Sequence, residues 1–322
     1  MTSLRWGVLG AANFALNHMA PAIHAARGAE LAALATSNPA KAVPFQAFAP
    51  GLKVHDSYDA LLADPAIDAV YIPLPNHLHV EWTIKALQAG KHVLCEKPIA
   101  LSDADFDALI AARDKSGKLA AEAFMIVHHP QFQRARELVQ GGAIGALRHV
   151  DAVFSYYNDD AGNIRNQANA GGGGLRDIGV YTFGAARFVT GAEPLAVPYA
   201  NLRLENDVDV FAQVAADFPE FTYAAIVSMR LFNRQQVVFH GEKGLLQMTC
   251  PFNAGVFDQA SLRLETTAGT VTIERFPAVN HYVQQVENFG NCVESGAKYP
   301  CPLEFSRGTQ KMMDMVFAAG NK

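Results

Sequence analysis

Three side chains carry most of the chemical interest of this sequence. Lys97 lies near the end of the run Lys91-His92-Val93-Leu94-Cys95-Glu96-Lys97-Pro98, and Asp177 and Tyr181 follow the glycine run Gly171–Gly174. A neutral tyrosine titrates near 10 and is a poor base at neutral pH. An ammonium beside it favours the phenolate and lowers that value. Hydride loss from a carbinol carbon needs a base for the hydroxyl proton, and a lysine–tyrosine pair can supply one. Asp177 suits an N-cap with Tyr181 four residues on, which places both on one face of a helix. A plain alternative stands beside this reading: Lys97-Pro98 as the exit from a strand, and Tyr181 as a core aromatic beside Phe183.

A second candidate site opens the chain. Trp6-Gly7-Val8-Leu9-Gly10-Ala11-Ala12-Asn13-Phe14-Ala15 reads as a strand, a tight turn and a helix start. A dinucleotide fold needs a glycine for the turn and small residues for close phosphate approach and helix packing. Those places fall on Gly10, Ala12 and Ala15, of which one is glycine. The backbone of Gly10, Ala11, Ala12, Asn13 and Phe14 is then the phosphate cradle, the alternative being an ordinary strand-to-helix turn. After the second strand comes Ala35-Thr36-Ser37-Asn38-Pro39, with Lys41 close behind and no acid. An Asp or Glu there would bind the ribose hydroxyl and repel a 2′-phosphate. Ser37, Asn38 and Lys41 tolerate that phosphate, so NADP is favoured, with NAD as the alternative.

These residues must be held by elements, and the elements change character along the chain. Up to residue 123, short apolar runs (Arg5–Leu9, Leu31–Thr36, Ala69–Ile72, His92–Cys95, Leu119–Phe124) alternate with helical patterns. One such pattern is Leu16, Met19, Ile23 and Ala26, which Pro21 kinks or splits. Ser102 is the expected cap of a helix over 103–115. This alternation predicts an α/β unit, a doubly wound parallel sheet of Rossmann type. Beyond residue 145 strand patterns dominate; helices are expected over Gln131–Gln140 before that point and over Asp177–Val189, His281–Glu294 and Ser306–Ala319 after it. The expectation is two domains: a dinucleotide-binding Rossmann domain over 1–123, and an α+β domain over 124–322 with a large, mostly antiparallel open sheet for substrate and assembly. Several strands of the second half are apolar on both faces, as in Val208, Val210, Ala212 and Val214 alternating with Phe211 and Ala215. The second face needs a cover, so a homo-oligomer is expected, most simply a two-fold dimer.

Composition narrows the classes further. The 322 residues carry 26 basic and 31 acidic side chains, net −5, and 50% are hydrophobic. That supplies a core and leaves no basic block for nucleic acid. No apolar run approaches the roughly 20 residues of a membrane span, and the first residues do not read as a signal peptide. The four cysteines, Cys95, Cys250, Cys292 and Cys301, are too scattered for a zinc pattern. His77 and His79 have the wrong spacing for a helical metal pair and His128 and His129 are adjacent, so no metal is expected. A cytoplasmic protein is the expectation.

The stretch Tyr71-Ile72-Pro73-Leu74-Pro75-Asn76-His77-Leu78-His79, with the Glu96-Lys97-Pro98 run after it, resembles the glucose–fructose oxidoreductase / inositol dehydrogenase / rhizopine catabolism family. Gly171 to Tyr181 is similar to that family's glycine-rich Asp–His/Tyr segment, and Glu122–Met125 with His129-Pro130 resembles the start of its second domain. The resemblance implies that Leu74, Pro75, Asn76, His79, Glu96 and Lys97 bind the dinucleotide. It implies that Lys97 takes part in catalysis near the nicotinamide, and that Asp177, Tyr181 and Arg165 meet the substrate. Tyrosine at 181 and the Asn163-Ile164-Arg165 segment look most like the aldose 1-dehydrogenase and dihydrodiol dehydrogenase branch. Val127 departs from that branch, which usually carries arginine there.

The resulting expectation is an oxidoreductase moving hydride between NADP and a carbinol carbon of a sugar or cyclic polyol, in a pocket between the domains. Two rivals accompany it: a glycosidase-like enzyme using tightly held NAD for transient oxidation, and a dinucleotide-sensing binding protein.

Overall fold

A computed structural model describes residues 3–320. Among them the chain divides into two compact units: 3–125 with Asn280–Ser306, and Ile126–Val279 with 307–320. The sequence expectation placed everything after 123 in the second domain. The difference has a physical cause in residues 280–306, whose apolar side chains cover the first sheet.

In the first unit, six strands form one parallel sheet: β1 (Leu4–Leu9), β2 (Ala29–Ala35), β3 (Lys53–His55), β4 (Ala69–Ile72), β5 (His92–Cys95) and β6 (Ala120–Glu122). Their order is β3-β2-β1-β4-β5-β6. β1, β2, β4 and β5 run as largely apolar segments because both faces are covered; all four residues of β4 are buried, whereas the edge strand β3 is partly exposed. Helices α1 (Ala20–Ala25), α2 (Val43–Phe48), α3 (Tyr58–Leu62), α4 (His79–Gln88) and α5 (Asp105–Ser116) connect them.

Pro21 falls in the first turn of α1, directly after a π-type turn over Ala15–Met19. The helix is thus divided where proline withdraws a backbone donor. Ser102 does not cap α5. Instead Asp105 reaches back, its carboxylate accepting from the N–H of Ser102 at 3.0 Å. At the other end of the chain, α8 (His281–Ser295) places Tyr282, Val286 and Phe289 at helical spacing, all buried. Phe289 lies 5.1 Å from the Trp6 ring. Asn280 caps α8 by accepting from the N–H groups of Tyr282 and Val283, a contribution of about 1 kcal/mol.

The second unit carries an eight-stranded sheet: β7 (Leu147–Tyr157), β8 (Ala196–Glu205), β9 (Val208–Asp217), β10 (Thr222–Ser228), β11 (Arg230–Gly241), β12 (Gly244–Met248), β13 (Ser261–Thr266) and β14 (Val271–Arg275). Its order is β14-β13-β12-β11-β7-β10-β9-β8, antiparallel except for the β7–β10 pair. This is the mostly antiparallel α+β arrangement that the sequence implies. One face packs on α6 (Pro130–Gln140) and α7 (Val180–Thr190), and α9 (Leu303–Gly320) runs from the first unit's last residues into the second unit. Val150, Ala152 and Phe154 of β7 are buried on the helix side. The other face is half-covered: Phe211, Ala215, Ala224, Ile226 and Val238 are all partly exposed. β8 escapes sequence reading because Pro198 and its exposed pattern argue against a strand. It is an edge strand, the position where proline is tolerated.

Candidate active site

The first unit assembles a dinucleotide cradle at the carboxyl ends of its parallel strands. β1 has β2 on one side and β4 on the other, so the chain leaves β1 in both directions and a crevice opens at that point. Gly10 follows β1 with φ +107 and donates its N–H to Ala35 O at 3.0 Å. A Cβ on Gly10 would come 3.1 Å from Leu74 and 3.3 Å from the Tyr58 hydroxyl. The turn therefore needs glycine twice, for its backbone angle and for the close approach of the loop after β4. Ala11, Ala12 and Phe14 are half-buried and Asn13 is exposed. They open a helix whose first N–H groups lack intrahelical partners, as an anion site requires.

Beyond β2, Ser37, Asn38 and Lys41 are exposed. The Asn38 side chain accepts from the Ala40 N–H at 3.1 Å, so turn formation is one of its tasks. After β4, Leu74 is buried while Pro75 and Asn76 are half-buried; after β5, Glu96 and Lys97 are half-buried. These residues fit a nicotinamide dinucleotide, which when bound supplies the hydride acceptor or donor.

Two buried contacts stiffen the loops around Lys97. Tyr71 donates its hydroxyl to Glu96 at 2.6 Å, and the other Glu96 oxygen accepts the Lys97 N–H at 3.3 Å. Burial raises the Glu96 carboxyl, against the pull of the Tyr71 bond and the Lys97 charge. His79 is 0% exposed, its ring nitrogens 2.7 Å from Leu74 O and 2.7 Å from Pro98 O. It ties the loop after β4 to the loop after β5 from behind. Burial lowers its pKa, partly offset by the two carbonyls. Cys95 is fully buried and burial raises its thiol well above the usual range, which fits a core residue.

In the second unit a π-type turn over Leu175–Gly179 leads into α7. Such turns recur at functional sites. Asp177 lies inside this turn and donates its N–H to Gly173 O at 2.9 Å, so it is not the N-cap that the sequence suggests. The helical segment already begins at Leu175, two residues earlier than the spacing implies. The Asp177 carboxylate is nearly buried and accepts the Tyr156 hydroxyl at 2.6 Å. Its other oxygen lies 2.9 Å from Arg165 Nε. Burial first, then Asp177, raises the Tyr156 hydroxyl; Asp177 raises Arg165 despite desolvation, and Tyr181 adds to that effect.

Tyr181 is 5% exposed, its ring centroid 5.9 Å from those of Phe154 and Phe252. The second unit thus brings Arg165, Asp177 and Tyr181 into one neighbourhood. Tyr156 is the residue that sequence reading missed. Its signal was the alternation Val150, Ala152, Phe154, Tyr156, which ends a core-facing row on a hydroxyl.

Both halves of the chain match known families. Residues 4–124 match a model described as an oxidoreductase family with an NAD-binding Rossmann fold. Residues 132–247 match a GFO/IDH/MocA C-terminal domain. The chain is 34% identical, over 98% of its length and 94% of the relative's, to a dTDP-3,4-didehydro-2,6-dideoxy-alpha-D-glucose 3-reductase from Actinomadura kijaniata. It is 32% identical, over 98% and 96%, to a D-xylose 1-dehydrogenase (NADP(+)) from Haloferax volcanii. A solved 3-ketoreductase from Actinomadura kijaniata, in complex with NADP and TDP-benzene, superposes with a TM-score of 0.90 at 32% identity, covering 99% of this chain and 98% of that one. With the cradle after β1, the Glu96-Lys97 loop and the Asp177–Tyr181 helix start in place, the chain belongs to the GFO/IDH/MocA family of NAD(P)-dependent oxidoreductases.

Proposed function

We propose that this enzyme moves hydride between NADP and a carbinol carbon of a sugar or cyclic polyol. The observation that carries the reading is the gathering of the Gly10 turn, Leu74–Asn76 and Glu96–Lys97 at one strand-order reversal. In this proposal Lys97 and Tyr181 supply proton transfer to or from the reacting oxygen, and Arg165 and Asp177 orient the substrate. Asp177 uses one contact on each oxygen for Tyr156 and Arg165, and a carboxylate has further lone pairs for sugar hydroxyls. The names of the two relatives refer to sugar substrates, and one includes NADP(+). Solved variants of the ketoreductase replace a lysine and a tyrosine, the residue types proposed here.

The first unit is the cofactor domain in this scheme, and the second binds substrate and self-associates. Among the described residues no helix is long and apolar enough to cross a membrane; a cytoplasmic setting is part of the proposal. A turnover screen of aldoses, polyols and keto sugars with NADP and NAD tests the reading. Consumption of none of them with either cofactor would sink it.

The cofactor preference has its own test. With Ser37, Asn38 and Lys41 exposed after β2 and no acid among them, NADPH should bind more tightly than NADH. Asn38→Asp should weaken NADPH by roughly tenfold through repulsion of the 2′-phosphate, at the modest strength of a solvent-screened pair. Fluorescence titration reads both affinities, and NADH as the tighter ligand of the unmodified chain would overturn the argument.

Assembly is proposed from the second sheet. Phe211, Ala215, Ala224, Ile226 and Val238 leave its helix-free face half-covered, with apolar residues set among Asp151, Gln213 and Gln236. A two-fold dimer formed by this face is expected. Light scattering at micromolar concentration should return twice the chain mass of 34.7 kDa; the monomer mass would contradict it.

A further inference from the structure

The glycine run Gly171–Gly174 suggests, as sequence, a loop that approaches substrate. In the structure all four glycines are buried and the run makes an internal junction. Gly172 packs against the backbone of the loop that carries Arg165: a Cβ there would stand 2.5 Å from Arg165 O and 2.7 Å from Ile164 O. The Gly173 N–H donates to Arg165 O at 3.0 Å. On the other side, a Cβ on Gly173 would lie 2.2 Å from Asp209 Oδ1, at φ +128. The Asp209 carboxylate occupies the space that a side chain would fill. It accepts the Leu175 N–H at 2.7 Å, the first residue of the turn that holds Asp177.

We infer that Asp209 is a positioning residue whose carboxylate, seated in the glycine run, holds the Arg165 loop and the Asp177–Tyr181 helix start in register. This rests on the proposed roles of Arg165, Asp177 and Tyr181. The argument is one of connectivity. One buried group bonds the helix start directly, and the glycines it packs on bond the arginine loop. A charged acceptor makes such backbone bonds roughly twice as strong as a neutral one, so the ionised form of Asp209 is the form that holds.

Its charge state is therefore part of the device. Burial raises the Asp209 carboxyl to about 7, against the backbone N–H groups and the Arg176 charge that favour ionisation. Arg176 faces it from the helix start, and the glycine run offers backbone N–H groups. The adjoining cluster of Val208, Val210, Met229 and Tyr156 brings one titratable hydroxyl, already given to Asp177. Ionisation through neutrality should switch the junction from loose to held as pH rises.

The sign separates this device from the chemistry. Reduction of a keto sugar by NADPH takes up a proton and slows as pH rises, whereas Asp209 gains its holding charge. The rate should be bell-shaped with an acid limb near pH 7. Asp209→Asn keeps the shape and removes the charge. It should abolish that acid limb, keep the alkaline limb, and lower kcat about tenfold with NADPH affinity unchanged.

Amide hydrogen exchange over residues 164–179 gives a reading that needs no turnover. Protection, corrected for intrinsic rates, should drop below pH 7 in the unmodified protein and be pH-independent in Asp209→Asn. Should that variant not fold, Gly173→Ala, which forces the carboxylate aside, should lower protection of the same segment at every pH. Protection without a step near pH 7 in the unmodified protein, or an acid limb that persists in Asp209→Asn, would overturn the inference. Absence of turnover with every keto sugar would instead count against the proposed function, and the exchange measurement would still decide the role of Asp209.

Discussion

Tyr181→Phe is expected to lower turnover by about 10²–10⁴, the usual loss for a positioned acid–base group, with NADPH affinity and fold retained. The substitution keeps the ring packed beside the stacked Phe154 and Phe252 and deletes the hydroxyl alone. Lys97→Met should do comparable damage. It keeps the aliphatic stem and removes the charge that the proposed mechanism sets beside the tyrosine, and the Tyr71–Glu96 bond stays in place. Oxidation of a carbinol releases a proton, so its rate in the unmodified enzyme should rise with pH. Asp177→Asn should cost less, since an amide still offers an oxygen to Tyr156 or Arg165. Steady-state turnover beside NADPH affinity is the measurement. Near-normal turnover in Tyr181→Phe would remove the tyrosine from the mechanism and leave Lys97 alone.

The second large effect concerns the helix that carries Tyr181. Arg187, further along α7, has a side chain 1% exposed, while its partner Glu193 is 62% exposed. The guanidinium meets the two Glu193 oxygens at 2.7 and 2.6 Å, and donates to Thr309 on α9. It fills space that Gly308 leaves: a Cβ there would lie 2.0 Å from Arg187 Nη2.

The pair is asymmetric, and so are its two deletions. Glu193→Ala takes the carboxylate from a buried cation, which keeps its bond to Thr309, and should cost about 3 kcal/mol, the low end for breaking a buried pair because water can enter where the carboxylate stood. Arg187→Met leaves a carboxylate already in water and should cost about half as much, chiefly lost hydrogen bonds. Denaturant midpoints of both variants, with the slope checked for constancy, decide the matter. Equal costs, or the reverse order, would show that the buried charge is not what the pair protects.

Much of the first unit was legible from residues. β4 and β5 fall where the apolar runs end, at Ala69–Ile72 and His92–Cys95, because a strand covered on both faces is written without interruption. Gly10, Leu74 and Lys97 also stand at strand ends, where their motifs put them. The second unit was harder. β8 hides behind Pro198, and its edge position became visible only once its neighbour β9 was known.

The same limit explains Asp177. A cap signature and a residue inside a wide helical turn look alike in sequence, since both need a short polar side chain near the helix start. What distinguishes them is the Asp177 N–H bond to Gly173, a backbone fact. Asp209 and Tyr156 were not legible as functional residues for a related reason, although the alternation ending at Tyr156 gave its face. Each acquires its role from a partner distant in sequence, and neither sits in a motif of its own.

The return of residues 280–306 to the first unit has a consequence for the chain as it is made. Residues 126–279, holding the entire eight-stranded sheet, leave the ribosome between the two parts of the dinucleotide unit. Arg27 and Glu287, which pair in the finished protein, are 260 residues apart. The Trp6 side of the first sheet can be covered by Phe289 only after the strands of the second sheet have been made. Domains of a nascent chain ordinarily close in the order they emerge. Here the first unit to start is completed by a helix made after the second unit's strands, so the cover that Phe289 gives to Trp6 arrives only then.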